Sequence, residues 1–148
     1  MATNQSVHMV VIDDDEVVLK LARRLLAKTD VELSTAVCGT EALALLRANK
    51  PDIILVDHRL TDCDGLDLVR SMRNTPNADS ASIVLWSAAE LPEHIVTSAG
   101  ALGAVTACKS AMRSREAFLD LIDLADFESA VAMSQIARPG VAPTGSKY

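Results

Sequence analysis

The run Ile53-Ile54-Leu55-Val56 follows the breaker Lys50-Pro51-Asp52 and stops on the carboxylate of Asp57. Four consecutive large apolar β-formers leave no polar face to turn toward water. The segment therefore reads as a strand covered on both sides, as in a parallel sheet between helical layers. Asp57 then stands at the strand's carboxyl end, the edge at which open α/β sheets bind ligands. Taken alone, it is equally well explained as a cap for the loop that follows.

Other runs repeat the pattern. His8 to Ile12 ends in Asp13-Asp14-Asp15, Ser82 to Trp86 ends at Ser87, and Ala104 to Cys108 ends at Lys109. Val31 to Val37 is a further short strand. Helical spacing fills the intervals. From Glu16 to Lys28, Val17, Val18, Leu21, Ala22, Leu25 and Leu26 form an apolar stripe opposite Lys20, Arg23, Arg24 and Lys28. Thr40 is an expected N-cap for a helix from Glu41 to Asn49, and a third helix carries Leu66, Leu68, Val69 and Met72 after the turn at Asp64-Gly65. Pro92 opens a short helix to about Ala99, closed by Gly100 and Gly103. Ser114 is the expected N-cap of a last helix running to about Ile136, with Phe118, Leu121, Ile122, Ala125 and Ala132 on one face. A second stripe of Leu124, Phe127 and Val131 suggests a partner surface or packing on the domain's own flank.

Strands alternating with helices imply an α/β domain with a parallel sheet and right-handed crossovers. The strand ends at Asp13-Asp14, Asp57, Ser87 and Lys109 then share one edge. Pattern alone leaves the strand order open. A chain of 148 residues is one domain by length, and its 49% hydrophobic but 3% aromatic composition predicts a core of Val, Leu, Ala and Ile. A net charge of -6 without a basic cluster argues against a nucleic-acid surface. No apolar run reaches the roughly 18 residues of a membrane span, and Met1 to Ser6 is too polar for a signal peptide. Cys38, Cys63 and Cys108 are odd in number and lack metal-ligand spacing, so they are expected as reduced thiols in a cytoplasmic protein.

The motifs Val11-Ile12-Asp13-Asp14, Ile54-Leu55-Val56-Asp57 with Asp64-Gly65, Trp86-Ser87-Ala88 and Cys108-Lys109-Ser110 resemble the receiver domain of two-component response regulators over roughly residues 8–125. Ser87 lies 30 residues after Asp57 and Lys109 a further 22 on, which is also receiver-like spacing. The resemblance implies a doubly wound (βα)5 flavodoxin-like three-layer sandwich, with a five-stranded parallel sheet in the order 2-1-3-4-5. It further implies that Asp57 is phosphorylated. The ligands of Mg²⁺ (or Mn²⁺) would be Asp14, Asp57 and the backbone carbonyl of Arg59, with Asp13 acting through water. Crowded carboxylates raise one another's pKa unless a cation intervenes, and Mg²⁺ takes oxygen ligands octahedrally at about 2.0 to 2.1 Å. Ser87 and Lys109 would bind the phosphate and throw the switch, while the side chains of Arg59 and Ala89 would tune its lifetime. The implied partner is a sensor histidine kinase or histidine phosphotransfer protein. The resemblance also allows a homodimer through the fourth and fifth helix face, and it implies no nucleic acid or membrane bound by this domain. Such a domain is a signalling switch that catalyses its own phosphorylation, not an enzyme with a separate substrate.

Four positions depart from the family pattern. Thr106 occupies the place of an aromatic residue that turns inward on activation, Thr61 and Ser110 replace usual prolines, and Gly103 lies two residues farther than usual from the lysine. A rearranged loop before the fifth strand is the consequence expected of Gly103. His58 should be turned away from the site by strand alternation, and Asp62 and Asp64 should shape the turn. The Trp86 ring should point into the core. Residues 1–137 are then the receiver-like domain with its long last helix, and residues 138–148, rich in Pro and Gly, a flexible tail or linker stub. One alternative is a degenerate pseudo-receiver acting as an interaction module. Another is a haloacid-dehalogenase-type phosphatase, which would want a second aspartate where Arg59 stands.

Overall fold

The computed structural model describes residues 7–124. Five parallel strands, β1 (Val7–Ile12), β2 (Val31–Ala36), β3 (Ile53–Asp57), β4 (Ser82–Ser87) and β5 (Ala104–Cys108), form one sheet in the order β2-β1-β3-β4-β5. Four helices connect them: α1 (Glu16–Leu26), α2 (Gly39–Ala48), α3 (Gly65–Arg73) and α4 (Glu93–Ala101). A 3-10 turn over Lys109–Arg113 then leads into α5, described over residues 115–124.

Strand alternation sorts the core into two layers. Met9, Val11, Ile53, Leu55, Val84 and Trp86 face α1 and α5, where they meet Leu19, Ala22, Leu26, Phe118 and Ile122. Val10, Ile12, Ile54, Val56, Ile83 and Leu85 face α2, α3 and α4. All five residues of β3 are buried, which is the burial its unbroken apolar run anticipates. Trp86 is fully buried and stacks on Phe118 at 6.0 Å between ring centroids, so its ring does point into the core.

Several boundaries differ from the sequence reading. The buried stripe of α1 is Leu19, Ala22 and Leu26, whereas Val17 is 70% exposed. The helix stops at Leu26 rather than Lys28, which takes the left-handed region at φ 67°. Past Leu26 the chain turns back on the helix end instead, as Ala27 N–H donates to Arg24 O and Thr29 N–H to Leu26 O. In α2 the N-cap is Cys38 and not Thr40, for a tertiary reason taken up below. Helix α4 runs through Gly100 to Ala101, with Pro92 as its N-cap rather than its first residue. The N-cap at Ser114 is as expected, its Oγ accepting from Ala117 N–H at 3.0 Å. The expected continuation of the last helix to Ile136, including Ala125, Phe127, Val131 and Ala132, and the tail from Arg138 lie outside the described residues.

The turn between α4 and β5 is built on Gly103, at φ 75°, and on the half-buried guanidinium of Arg73 from the end of α3. Arg73 Nε donates to Leu102 O at 2.8 Å, Nη1 to Ala81 O at 2.7 Å and Asp79 O at 3.2 Å, and Nη2 to Gly103 O at 3.1 Å. One side chain thus ties the entry of β4 to the entry of β5. Replacing it by Met keeps the aliphatic stem but strands these carbonyls, and hydrogen bonds from a charged donor are worth about 1.5 to 3 kcal/mol each. Arg73→Met is therefore expected to lower unfolding free energy by about 3 kcal/mol, read from the midpoint of urea denaturation.

Candidate functional site

Parallel pairing brings the carboxyl ends of the strands to one edge. Ile12 is opposite Val56, Asp57 opposite Trp86, and Ser87 opposite Cys108. The next residues of β1 and β5, Asp13 and Lys109, thereby flank Asp57 from either side of the sheet's midline.

Asp13 is fully buried; its Oδ1 accepts from Asp15 N–H at 2.9 Å, and its Oδ2 lies 2.7 Å from Lys109 Nζ. The same ammonium is 3.1 Å from Asp57 Oδ1, and Asp57 is only 8% exposed. Asp14 is exposed. Burial raises the Asp57 pKa, and the charges of Asp13 and Asp14 raise it further against the opposing pull of Lys109. Burial works against the charged form of Lys109 too, but its hydrogen bonds and ion pairs with Asp13 and Asp57 prevail and raise its pKa. The ammonium therefore stays charged at neutral pH. Asp13 and Asp57 share one lysine, and Asp14 adds a third carboxylate beside them.

Asp13, Asp14 and Asp57 each offer a carboxylate oxygen within 4.8 Å of the others. An octahedral ion with ligands at about 2.1 Å spaces its oxygens roughly 3 to 4 Å apart, so this all-oxygen cluster suits a small hard cation of the Mg²⁺ kind in donor type, with a small closing of the carboxylates around the ion. This charge neutralisation is also what the raised Asp57 pKa calls for.

Ser87, Arg59 and Ala89 stand at or just past the ends of the neighbouring strands, while Thr106 and His58 line other cavities. Ser87, at the end of β4, accepts from Ala89 N–H at 3.3 Å, and the Cys108 thiol donates to Ala88 O at 3.7 Å. Arg59 and Ala89 are both exposed, on the loops after β3 and β4. Thr106 lies apart from the carboxylates, on the wall of a cavity of about 300 Å³ shared with Ala89, Leu91, Val96 and Cys108. His58 donates its N–H to Trp86 O at 2.9 Å, and its ring lines a separate cleft with Arg59, Cys63 and His94. Every peptide bond among the described residues is trans, including the one after Lys109.

Two structural roles escaped the sequence reading. Asp15 caps α1, its Oδ1 accepting from Val17 N–H at 2.9 Å, while its own N–H orients Asp13. An aspartate directly before the helical stripe was the available signal for it. Asp62 does more than shape its own turn: it reaches across to α2, which no local pattern indicates.

A family model described as the response regulator receiver domain matches residues 9–115. Response regulator MprA of Mycobacterium sp. (strain KMS) is 33% identical over 89 residues, which are 60% of this chain and 38% of that protein. Response regulator PleD of Caulobacter vibrioides (strain NA1000 / CB15N) is 34% identical over 83 residues, 56% of this chain and 18% of that protein. The chain thus spans well under half the length of these relatives. Among solved structures, the CheY-like receiver domain protein from Methanospirillum hungatei JF-1 aligns with a TM-score of 0.75 at 17% identity, covering 86% of this chain and 99% of that one. A response regulator protein from Burkholderia pseudomallei, solved with a phosphorylated aspartic acid, calcium ion and citrate, aligns with a TM-score of 0.71 at 23% identity, covering 88% and 73%.

Proposed function

The chain belongs to the response regulator receiver domain family, and from that premise we propose that Asp57 is its phosphoacceptor in a two-component phosphorelay. The donor is the phosphohistidine of a sensor histidine kinase or a histidine phosphotransfer protein. The observation that carries this reading is the convergence of Asp13, Asp14, Asp57 and Lys109 at the carboxyl edge of the sheet. The phosphorylated aspartic acid and calcium ion of the Burkholderia pseudomallei relative support the same chemistry.

A carboxylate oxygen of Asp57 bonds to phosphorus as the bond from phosphorus to the donor imidazole breaks, leaving an acyl phosphate. Such transfers depend on positioning and charge neutralisation more than on a base. Asp14, Asp57 and the Arg59 carbonyl would hold Mg²⁺, or Mn²⁺, directly, and the ion would neutralise charge on the transferring group. Asp13 suits a role through water, because both its oxygens already serve Asp15 N–H and Lys109. Lys109 turns part of its pairing toward a phosphoryl oxygen, and Ser87 donates its hydroxyl to another. The side chains of Arg59 and Ala89 flank the product and tune its lifetime.

The product carries nearly two negative charges, which draw Ser87 inward and move the segment from Ala88 into α4. Thr106, on the wall of the cavity beside Ala89 and Val96, has no ring to follow that movement. Val96 of α4 and Leu124 of α5, 41% and 56% exposed, are available to a homodimer contact on the fourth and fifth helix face. Among the described residues no helix is long and apolar enough to cross a membrane; a cytoplasmic setting is part of the proposal.

Acetyl phosphate with Mg²⁺ is expected to add one phosphoryl group, seen by intact mass, and chelation of the metal should prevent it. A chain that stays unmodified under both conditions is no phosphoacceptor. Trp86 emission should change once on Mg²⁺ addition and again on addition of beryllofluoride, with Ser87→Ala blunting mainly the second change. In Mg²⁺ titrations followed by the same signal, Asp13→Asn should weaken binding about tenfold, the usual scale for an outer ligand. Asp14→Ala should weaken it by more. Equal losses would remove the distinction between direct and water-mediated ligands.

A further inference from the structure

We propose that Asp62 is a positioning residue of the acceptor loop, clamping it onto the N-terminus of α2 and so holding the Arg59 carbonyl in register with Asp57. The inference rests on the reading of Asp57 and Arg59 given above. It starts from the loop's shape. Leu60 N–H donates to Cys63 O at 3.1 Å, Gly65 N–H donates to His58 O at 2.8 Å, and Arg59 and Asp64 face each other as an antiparallel bridge. The loop is a small hairpin with Thr61 and Asp62 at its tip.

Both tip residues are exposed, and position 61 carries threonine, whose φ is not locked by a ring as a proline's is. The restraint comes from across the molecule. Asp62 Oδ1 accepts from Gly39 N–H at 2.8 Å, and Oδ2 accepts from Thr40 N–H at 3.0 Å and from Thr40 Oγ at 2.9 Å. Gly39 and Thr40 open α2, whose N-cap residue Cys38 makes no side-chain cap bond. Asp62 thus does in trans what an N-cap side chain does locally. Its carboxyl is held well below the usual carboxylate range, chiefly by the Gly39 and Thr40 N–H groups. It is ionised throughout the neutral range, as a clamp on helix N–H groups requires.

A second contact fixes the same joint. The loop lies close against α2 here: a Cβ on residue 39 would lie 2.6 Å from Cys63 Sγ, which would have to rotate away. Arg59 lies between the buried Asp57 and this anchored tip, which restricts its backbone from both ends. Releasing the tip should therefore cost metal affinity more than it costs chemistry in the loaded site.

The test compares the parent with Asp62→Ala, Asp62→Asn and the control Ser114→Ala, which removes a helix cap on α5 that belongs neither to the loop nor to α2. In metal-free protein, hydrogen exchange at the Leu60 amide should quicken about fivefold in Asp62→Ala, the scale of one lost cap, and less in Asp62→Asn. The Mg²⁺ dissociation constant, read from Trp86 emission, should rise about tenfold, the scale of a lost supporting contact. The rate of loading from acetyl phosphate at saturating Mg²⁺ should stay near the parent's. Ser114→Ala should lower the melting temperature and leave Mg²⁺ affinity alone. If Asp62→Ala behaves like that control, with a lower melting temperature but unchanged Mg²⁺ affinity and Leu60 exchange, Asp62 is only a cap and the proposal is overturned. A parent that neither binds Mg²⁺ nor loads would overturn the reading of Asp57. Faster Leu60 exchange in Asp62→Ala would even then support the clamp itself.

Discussion

Asp57→Asn is expected to accept no phosphoryl group from acetyl phosphate at a rate within about a thousandfold of the parent, the scale of losing a nucleophile. The amide matches the carboxylate in shape but lacks the charge that makes its oxygen attack phosphorus. The same substitution should stabilise the metal-free protein. Burial and the neighbouring Asp13 raise the folded-state pKa of Asp57 above its unfolded value. A folded state that holds its proton more tightly loses stability as pH rises from about 4 through the folded pKa. Asn mimics the protonated form and escapes that loss, so at pH 7 in chelator Asp57→Asn should melt higher than the parent. Saturating Mg²⁺ at about a hundred times its dissociation constant would stabilise the parent by about 2.7 kcal/mol and narrow the difference. Intact mass checks the first expectation and calorimetry the second. A variant that gains the phosphoryl group as the parent does would place the acceptor elsewhere. One that melts lower in chelator would show that the ion pair with Lys109 outweighs burial and repulsion.

Gly65→Ala is expected to be the most damaging small substitution in the site. Gly65 opens α3 directly behind the acceptor, and a methyl group there would overlap the backbone carbonyl oxygen of Asp57 and lie 2.9 Å from Leu85 Cδ1. The first obstacle is backbone and cannot rotate away. Either α3 shifts, breaking the 2.8 Å bond from Gly65 N–H to His58 O, or the end of β3 shifts and carries Asp57 with it. Overpacking of this kind costs about 3 kcal/mol, with more where backbone must move. Urea denaturation should show that loss, and Mg²⁺ affinity should fall with it because one of the two displaced elements holds the acceptor. A loss under about 1 kcal/mol would mean that the start of α3 yields far more readily than its packing implies.

The sheet was legible in the sequence because burial on both faces writes itself into consecutive residues: Ile53 to Val56 has no polar alternation, and in the fold none of these side chains meets water. Site residues were legible for a related reason. Asp13, Asp57, Ser87 and Lys109 each end or directly follow an apolar run, so parallel strands had to deliver them to one edge. The order of the strands was not in that pattern, since hydrophobicity records that a strand is covered and not which strand lies beside it; the order came from family resemblance. The stripe of α1 was legible at Val18, Leu21, Ala22, Leu25 and Leu26, which are buried or packed on the core, but not at its start, where Val17 and Leu19 are both apolar and the docked helix leaves Val17 outside and Leu19 in the core. The start of α2, the joint at Arg73 and the anchoring of the acceptor loop were decided by tertiary structure alone. Each depends on hydrogen bonds between groups far apart in the chain, Asp62 with Gly39 and Thr40 or Arg73 with Leu102 and Gly103, and such pairs leave no period in a linear sequence. A one-dimensional pattern carries what each residue wants from its surroundings; which partner meets that want is settled only when the chain has folded.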